Sequence, residues 1–429
     1  MPAIPSDDGR LADLERLLDV ARQLGATVAL DPLLSMIAAA AISVLDCERA
    51  TVFLYDRKAG ELSSRLATGV AGAPIEEIRF PDTRGIAGEV ARSGVAINIA
   101  DAYADPRFNP EFDQRSGYRS QSMLTIPLAG HDGAVVGVLQ LLNKRGGLFA
   151  TRDEEIGGFL GTQAGVAIQR QLLLEQFAVK QRIDRDLNIA RGIQQGLLPR
   201  EQPAVPGYDI AGWNRPADET GGDYFDFMPL AGAGLAITIA DVTGHGVGPA
   251  LVVAETRALF RAVVQYRSDL QRAVNEVQAL LSLDLPEGRF VTAFFGVLAP
   301  ERNTINYLSA GQAPLLAYVA ADASFQEMPA KGLPLGFVPE IEYEPAIDHS
   351  FAPGDMVVLL TDGFYEWANP AGEQFGVERV TELVHRHRNA PASEVIAALY
   401  RAVVDFSAGT PQGDDLTAVV IKRLPDGAA

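Results

Sequence analysis

The first third of the chain carries two kinds of hydrophobic pattern. Apolar residues recur at intervals of three and four and stop at Gly25, which predicts an amphipathic helix. The apolar positions of this run are Leu11, Leu14, Leu17, Leu18, Ala21 and Leu24. Asp31 followed by Pro32 predicts the capped start of a second helix. Shorter apolar runs predict strands at 50–55, 61–67, 96–99, 122–128 and 134–143. Helices at the start, strands in the middle and a helix at the end predict an α+β domain or an α/β/α sandwich over residues 1–165.

A proline-free connector follows, between Thr151 and Leu198. Its apolar residues are three, four or seven positions apart, and polar residues fill the other positions. They are Leu172, Val179, Ile183, Leu187, Ala190, Ile193 and Leu197. This narrow stripe predicts a coiled-coil linker helix over 166–199, although its glycines weaken the helix. The same helix of a second chain is the economical partner, which predicts a parallel homodimer. A helix folded back onto its own domain is the alternative.

The last part of the chain, residues 200–425, alternates short apolar runs with helical patterns. Strands are predicted at 235–241, 290–298, 304–309, 315–319, 355–360 and 417–422, and helices at 247–264, 269–281 and 393–406. This succession is typical of a layered sheet-and-helix domain.

Composition narrows the class of protein. The 429 residues suggest two or three domains, and the net charge of −19 argues against a nucleic-acid or anionic-membrane partner. The single cysteine, Cys47, lies in an apolar pattern and fits a core position in a reducing compartment. No basic region precedes an apolar core at the N-terminus, and the longest apolar stretch is too short to span a bilayer. We therefore expect a cytoplasmic protein.

Four aspartates stand at the ends of predicted strands or in adjoining loops: Asp223, Asp241, Asp362 and Asp414. Most have a glycine one or two positions away, so the backbone can bend there. Carboxylates without a Cys or paired-His motif favour Mg²⁺ or Mn²⁺ over Zn²⁺. Each aspartate alone is typical of a turn or cap, but the set predicts a cation site.

The first domain resembles a GAF domain in four segments: ERATVFLYD, RGIAGEVARSG, IPL and VVGVLQLLNK. A finer resemblance is to the signature of cyclic-nucleotide-binding GAF domains, formed here by Asn143, Lys144, Phe149, Asp153 and Glu154. It implies a small ligand, cAMP or cGMP, and a Lys144–Asp153 ion pair that holds the pocket closed. Residues 151–154 also fit a capping box, with Glu154 at the third helical position. Another small ligand, or a ligand-free interaction module, remains an alternative.

The second domain resembles the RsbU/SpoIIE branch of the metal-dependent PPM serine/threonine phosphatases. The resemblance is carried, in order, by GGDYFD, ADVTGHGVGPAL, RFVTAFFGVL, LSAGQAPLL, KGLPLGF, VVLLTDGFYEWANPAGEQFG and GDDLTAVVI. It implies an αββα sandwich with two Mn²⁺ or Mg²⁺ ions at one edge. Asp241 would bridge the ions, with further ligands from the Val242 carbonyl, Asp362 and Asp414. Asp223 would bind the second ion, and Asp415 ranks below these because relatives carry Asn there.

The same resemblance implies a reaction and a substrate. A water activated by the two ions would attack phosphorus in line, and the usual substrates are phosphorylated anti-sigma-factor antagonists of the STAS type. A catalytically silent partner-binding module is the alternative. Two departures leave the proton donor open: Gln312 stands where many relatives have His, and Thr243 stands where eukaryotic relatives have His, with His245 two residues later. The segment before Pro199 and residues 249–264 resemble the family's switch region.

Overall fold

The helical and strand-like hydrophobic patterns of the sequence form helices and sheets that pack in layers. The computed structural model describes residue 16 and residues 18–25, 29–64, 78–266 and 269–425, without the side chains of 115, 116 and 233. Leu11, Leu14, Leu17 and the predicted strand residues 65–67 lie outside this description. The chain divides into two units, Met1–Arg182 and Ile183–Ala429.

The first unit is built on one antiparallel sheet with the strand order β3-β2-β1-β6-β5-β4. Its strands are β1 (Cys47–Asp56), β2 (Glu61–Ser64), β3 (Ile78–Pro81), β4 (Ile97–Ile99), β5 (Met123–Ala129) and β6 (Val135–Lys144). Its helices are α1 (Leu30–Leu45), α2 (Gly85–Ser93) and α3 (Glu111–Ser116), followed by α4 (Thr151–Gln195), which crosses the division between the units. One buried cluster joins α1 and α4 to the sheet and another joins α2 to its other face, which confirms the α/β/α sandwich.

The predicted start of the second helix is wrong by two residues. The helix begins at Leu30 with Ala29 at the N-cap, so Asp31 lies in the first turn instead of capping it. An acid in the first turn still interacts favourably with the helix dipole, which explains the signal. Cys47 is fully buried in the first core, and this burial raises the pKa of its thiol to about 11.

Helix α4 is continuous over 45 residues, and its glycines do not interrupt it. Instead, two of them allow close contact with the sheet. A Cβ would come within 2.8 Å of the Pro127 carbonyl oxygen at Gly161, and within 2.2 Å of the Ala129 carbonyl oxygen at Gly165. These glycines therefore contribute to packing because they let α4 approach β5 more closely than any other residue would.

The second unit is a sandwich of two antiparallel five-stranded sheets, with the orders β14-β11-β10-β9-β8 and β13-β12-β15-β16-β7. The strands are β7 (Tyr208–Arg215), β8 (Asp223–Pro229), β9 (Leu235–Val242), β10 (Val291–Ala299), β11 (Thr304–Ala310), β12 (Leu315–Val319), β13 (Ser324–Glu327), β14 (Ile347–Ser350), β15 (Met356–Leu360) and β16 (Leu416–Arg423). The helices are α5 (Val247–Val264), α6 (Leu270–Asp284), α7 (Gly363–Glu366), α8 (Val377–Arg386) and α9 (Ala392–Ser407). One core lies between the sheets, and helices cover both outer faces, so the αββα prediction is confirmed.

Sequence patterns located the larger part of these elements, but the strands β7, β8, β13 and β14 and the helices α7 and α8 were not predicted. In β8 the sequence DYFDFMP places aspartates among aromatic residues, and six of its seven residues are buried. Burial on both faces removes the polar alternation by which a half-buried strand is recognised. Among the described helices, none is long and apolar enough to cross a bilayer.

Candidate metal centre

The predicted acids meet at one end of the sandwich, where strands of both sheets begin or end. Asp223 begins β8 and lies directly opposite Asp241, near the end of β9, in the antiparallel pair. Asp362 follows β15, and Asp414 precedes β16 by two residues. The strands β15 and β16 belong to the second sheet. The site is therefore assembled from both sheets.

Asp223 is the most enclosed of these acids, and two threonines hold it. Its Oδ2 accepts a hydrogen bond of 2.6 Å from the Thr361 hydroxyl and one of 2.7 Å from the Thr417 hydroxyl. Asn214 Nδ2 donates in turn to Thr417 Oγ1 at 2.8 Å. Sequence reasoning missed these three residues, although both threonines stand within the quoted TDG and GDDLT segments. The network fixes the orientation of the Asp223 carboxylate.

The acids perturb one another electrostatically. Burial, followed by repulsion from Asp362 and Asp414, raises the pKa of Asp241 to about 7. Burial and the neighbouring Asp414 raise the pKa of Asp362 to about 6. Burial and repulsion from Asp241 also raise the pKa of Asp223 well above the ordinary range. Buried carboxylates that disfavour their own charge are a suitable environment for a cation, which would compensate it.

No lysine or arginine of the described part forms an ion pair with any of these acids. Among the described residues, no group of three or more His, Cys, Asp or Glu side chains is arranged so that it could hold a metal ion. The arrangement is thus a set of neighbouring oxygen donors at one end of the sandwich. Its chemistry fits hard divalent cations such as Mn²⁺ or Mg²⁺.

The Val242 carbonyl, predicted as a further ligand, faces Gly222 across the strand pair. Val242 N–H donates to the Gly222 carbonyl at 3.0 Å. A Cβ on Gly222 would lie 2.5 Å from Val242 O and 3.4 Å from Asp241 Oδ1. Glycine is therefore required at 222 by close approach, because any side chain would displace the Val242 carbonyl or the Asp241 carboxylate.

Asp415 is buried and holds the loop that leads into β8. Its carboxylate accepts hydrogen bonds from the backbone N–H groups of Ala217 at 2.7 Å, Gly222 at 2.6 Å and Asp223 at 3.3 Å. Asp414, by contrast, is exposed and accepts the Asp415 N–H at 2.8 Å. These contacts give Asp415 a positioning role in the loop from 217 to 223.

The residues at the two departures from the family pattern, Gln312 and Thr243, and the nearby His245 all have structural contacts. His245 is 75% exposed, and its Nδ1 lies 2.7 Å from Asp218 Oδ2 across the glycine-rich turn. The Thr243 hydroxyl accepts the Phe290 N–H at 3.3 Å, which extends the β9–β10 pairing. Gln312 is buried and donates through Nε2 to the Leu360 carbonyl at 2.7 Å, at the end of β15. Gln312 thus supports the strand that carries Asp362.

The C-terminal turn of α4 contacts the same region through Gln194. Its Nε2 donates to the Gly221 carbonyl at 2.6 Å, and its Oε1 accepts the Gly221 N–H at 3.0 Å. Gly221 directly precedes Gly222 and Asp223. The linker helix is therefore hydrogen-bonded to the loop that carries one of the predicted ligands, a contact that the broader switch prediction did not assign to any residue.

In the first unit, Asn143 and Lys144 of the cyclic-nucleotide signature form hydrogen bonds and an ion pair at the end of strand β6. Lys144 Nζ lies 2.8 Å from Asp153 Oδ1 and donates to the Leu45 carbonyl at 2.9 Å. Asn143 adopts a positive φ of 57° and donates to Glu48 Oε2 at 2.9 Å. The ion pair that the resemblance implies is present in the structure.

The remaining signature residues join the start of α4 to β4. Asn98 Nδ2 donates to the Phe149 carbonyl at 2.9 Å and to Glu154 Oε1 at 2.7 Å. Asp153 Oδ2 accepts the Ala150 N–H at 2.8 Å. The helix start is therefore capped by Asp153, and Glu154 binds Asn98 instead of completing the reciprocal capping box.

Two family models match separate parts of the chain: the GAF domain over residues 29–168 and Stage II sporulation protein E (SpoIIE) over residues 231–424. The chain is 27% identical over 264 residues to the phosphoserine phosphatase RsbU of Bacillus subtilis (strain 168), a match covering 60% of this chain and 76% of that protein. It is 34% identical over 170 residues to the probable 3',5'-cyclic phosphodiesterase pde-5 of Caenorhabditis elegans, covering 37% of this chain and 23% of that protein. Among solved structures, the SiaA-PP2C domain of Pseudomonas aeruginosa aligns over 57% of this chain and 97% of that chain, with a TM-score of 0.48 and 23% identity.

Thr417→Val tests whether the hydroxyl network orients Asp223. The substitution removes one donor while nearly conserving the volume of a fully buried side chain. Loss of such an orienting partner typically lowers metal affinity about 10- to 100-fold, and we expect a loss of this size for Mn²⁺ in isothermal titration calorimetry.

Thr256→Val is the matched control for this change. Its hydroxyl is also fully buried, but it donates to the Val252 carbonyl within helix α5. The Mn²⁺ affinity of this variant should equal that of the wild type. Equal affinities in the wild type and Thr417→Val would contradict the orienting role.

Proposed function

We propose that this chain, which carries a GAF domain followed by a SpoIIE-type domain of the PPM serine/threonine phosphatases, hydrolyses phosphoserine or phosphothreonine on a protein substrate under the control of a GAF ligand. The observation that carries the proposal is the convergence of Asp223, Asp241, Asp362 and Asp414 at one end of the sandwich, where burial and the charge of neighbouring carboxylates raise the pKa values of Asp223, Asp241 and Asp362. A catalytically silent partner-binding module is the alternative, and the presence of all four acids speaks against it.

The acids would hold two Mn²⁺ or Mg²⁺ ions. Asp241 would bridge them, the Val242 carbonyl, Asp362 and Asp414 would complete the ligand set, and Asp223 would serve the second ion. Two such ions, when bound, lower the pKa of a water and neutralise charge on the phosphoryl oxygens.

The chain's own residues orient this set. Thr361 and Thr417 fix the Asp223 carboxylate, and Gly222 leaves room for the Val242 carbonyl. Asp415 holds the loop from 217 to 223 through backbone N–H groups. Pre-organisation of this kind keeps the donors in position before the substrate arrives.

The substrate class that we favour is a serine-phosphorylated STAS-domain antagonist of an anti-sigma factor. Support comes from the RsbU/SpoIIE resemblance of the motifs and from the relative in Bacillus subtilis, which is a phosphoserine phosphatase. The acidity of the chain fits a protein substrate with basic character around the phosphorylated residue.

Asp241→Asn tests the reaction. With Mn²⁺, the wild type should hydrolyse p-nitrophenyl phosphate and a serine-phosphorylated STAS protein, and the variant should lose both activities because the bridging carboxylate is gone. Release of p-nitrophenol and of inorganic phosphate gives the two rates.

Asp322→Asn is the control, because Asp322 lies in the β12–β13 turn and binds Ser324 locally. Its rates should match those of the wild type. A wild-type protein that hydrolyses neither substrate with any divalent metal would overturn the proposed function.

The GAF domain is proposed to bind cAMP or cGMP. Support comes from the contacts of Asn143, Lys144, Phe149, Asp153 and Glu154, and from the 34% identity to a cyclic phosphodiesterase. A ligand can regulate the phosphatase only if it binds the active and inactive states with different affinity.

Titration calorimetry with each nucleotide tests this proposal. We expect saturable heat with cAMP or cGMP and weaker binding by Lys144→Met, because the variant loses the ion pair to Asp153. Lys58→Met, in the exposed β1–β2 turn, should bind as the wild type does. An absence of heat with both nucleotides would reject cyclic-nucleotide control.

The linker helix is proposed to form a parallel homodimer. Beyond the first unit's core, α4 exposes large apolar side chains, including Val179 at 60%, Ile183 at 54% and Ile193 at 64%. Burying such residues against the same helix of a second chain removes apolar surface from water.

Val179→Glu should therefore shift the protein from dimer to monomer in sedimentation or light-scattering measurements, because it places charge in the apolar stripe. Val95→Glu is the control, since Val95 is similarly exposed, at 63%, but lies on the first unit outside the linker. A monomeric wild type, or a dimer that survives Val179→Glu unchanged, would contradict the linker interface.

A further inference from the structure

Arg289 lies beside the glycine-rich turn without having been predicted as a site residue. It ends a tight turn after α6, in which its N–H donates to the Pro286 carbonyl at 3.1 Å. The strand that follows pairs Val291 with Val242 and Thr292 with Asp241. This register places Arg289 next to the turn at 243–248, immediately beyond the predicted ligands.

The guanidinium group lies against the backbone of that turn. Arg289 Nη1 donates to the Thr243 carbonyl at 3.2 Å, one peptide unit from the Val242 carbonyl. A Cβ on Gly248 would lie 3.1 Å from Arg289 Nη2, and one on Gly244 would lie 3.7 Å from Nη1. The absence of side chains at both glycines therefore leaves the space that the guanidinium occupies.

In the described part of the chain, Arg289 has no carboxylate within ion-pair distance. By contrast, the half-buried Arg257 and Arg261 of helix α5 both form ion pairs with Asp226. A guanidinium carries five N–H donors, and the hydrogen bond to Thr243 uses one of them. Its remaining donors are available to an anion.

We propose that Arg289 binds the phosphoryl group of the substrate. A guanidinium forms paired, charge-assisted hydrogen bonds with phosphate oxygens, a geometry that lysine does not provide. At a site formed by acids, a cationic side chain would attract the phosphorylated residue and fix its orientation while the oxygen donors hold the metal ions. The inference rests on the proposed function, since it assigns the residue that recognises the phosphate at the same site.

A purely structural role is the competing explanation. In that case, Arg289 would brace the turn through Thr243, and its removal would disturb the Val242 carbonyl and weaken metal binding. A role in substrate binding would leave metal binding intact and weaken phosphate binding. Separate measurements of the two affinities therefore distinguish the roles.

The experiment uses the full chain and measures the affinity for Mn²⁺ and, in saturating Mn²⁺, for inorganic phosphate, both by titration calorimetry. We expect Arg289→Gln to weaken phosphate binding about tenfold or more, the size expected for a lost charge-assisted hydrogen bond, with unchanged Mn²⁺ affinity. Arg289→Lys should recover part of the phosphate affinity. The KM for p-nitrophenyl phosphate should rise by a similar factor.

Arg302→Gln is the matched control, because Arg302 is exposed in the turn at the other end of β10. It should bind phosphate as the wild type does. Unchanged phosphate affinity in Arg289→Gln, or a parallel loss of Mn²⁺ affinity, would overturn the assignment. A wild type that binds phosphate through Arg289 but hydrolyses no phosphoester would overturn the proposed function and support the binding role.

Discussion

The hydrogen bonds from Thr361 and Thr417 to Asp223 join the two sheets of the second unit at the end where the acids meet. Asp223 belongs to one sheet, and the two threonines belong to the end of the other. Because Asp223 pairs across the strands with Asp241, the same contacts set the position of the predicted bridging ligand. Three further contacts hold the backbone that leads into Asp223. They are the close approach at Gly222, the hydrogen bond that the Asp415 carboxylate accepts from Gly222 N–H, and the hydrogen bond between Gln194 and Gly221. The geometry of the whole centre depends on where this segment lies.

Much of the fold could be predicted from local pattern. Helix α5 has the predicted bounds, and the strands that carry Asp241 and Asp362 differ from their predictions by one residue. These elements have an unambiguous period and clear glycine or aspartate boundaries. Strand β8 was missed because it is buried on both faces, so that neither alternation nor a continuous apolar run marks it. The helix cap assigned to Asp31 failed because an acid in the first turn and an acid at the cap look alike in sequence.

The candidate site was predictable only in part, for a different reason. The acids stood out because carboxylates at several strand ends are rare together and because their motifs resemble a known family. The residues that orient them did not, since Thr417 lies 194 positions from Asp223 and Gln194 lies 27 positions from Gly221. A threonine in a strand and a glutamine in a helix carry no sequence signal of such a role, because the fold alone brings them next to their partners. Arg289 belongs to the same group, because only the β9–β10 register places it beside the turn.

The assembly of the centre from both sheets also has a consequence for folding. A partly folded second unit, with one sheet formed, would present only part of the ligand set, so divalent cations would bind the complete sandwich in preference to any intermediate. Binding that is confined to the native state stabilises it by about 2.7 kcal/mol when the free ion is at a hundred times its dissociation constant. Metal supply would then govern how long the folded second unit persists in a cell.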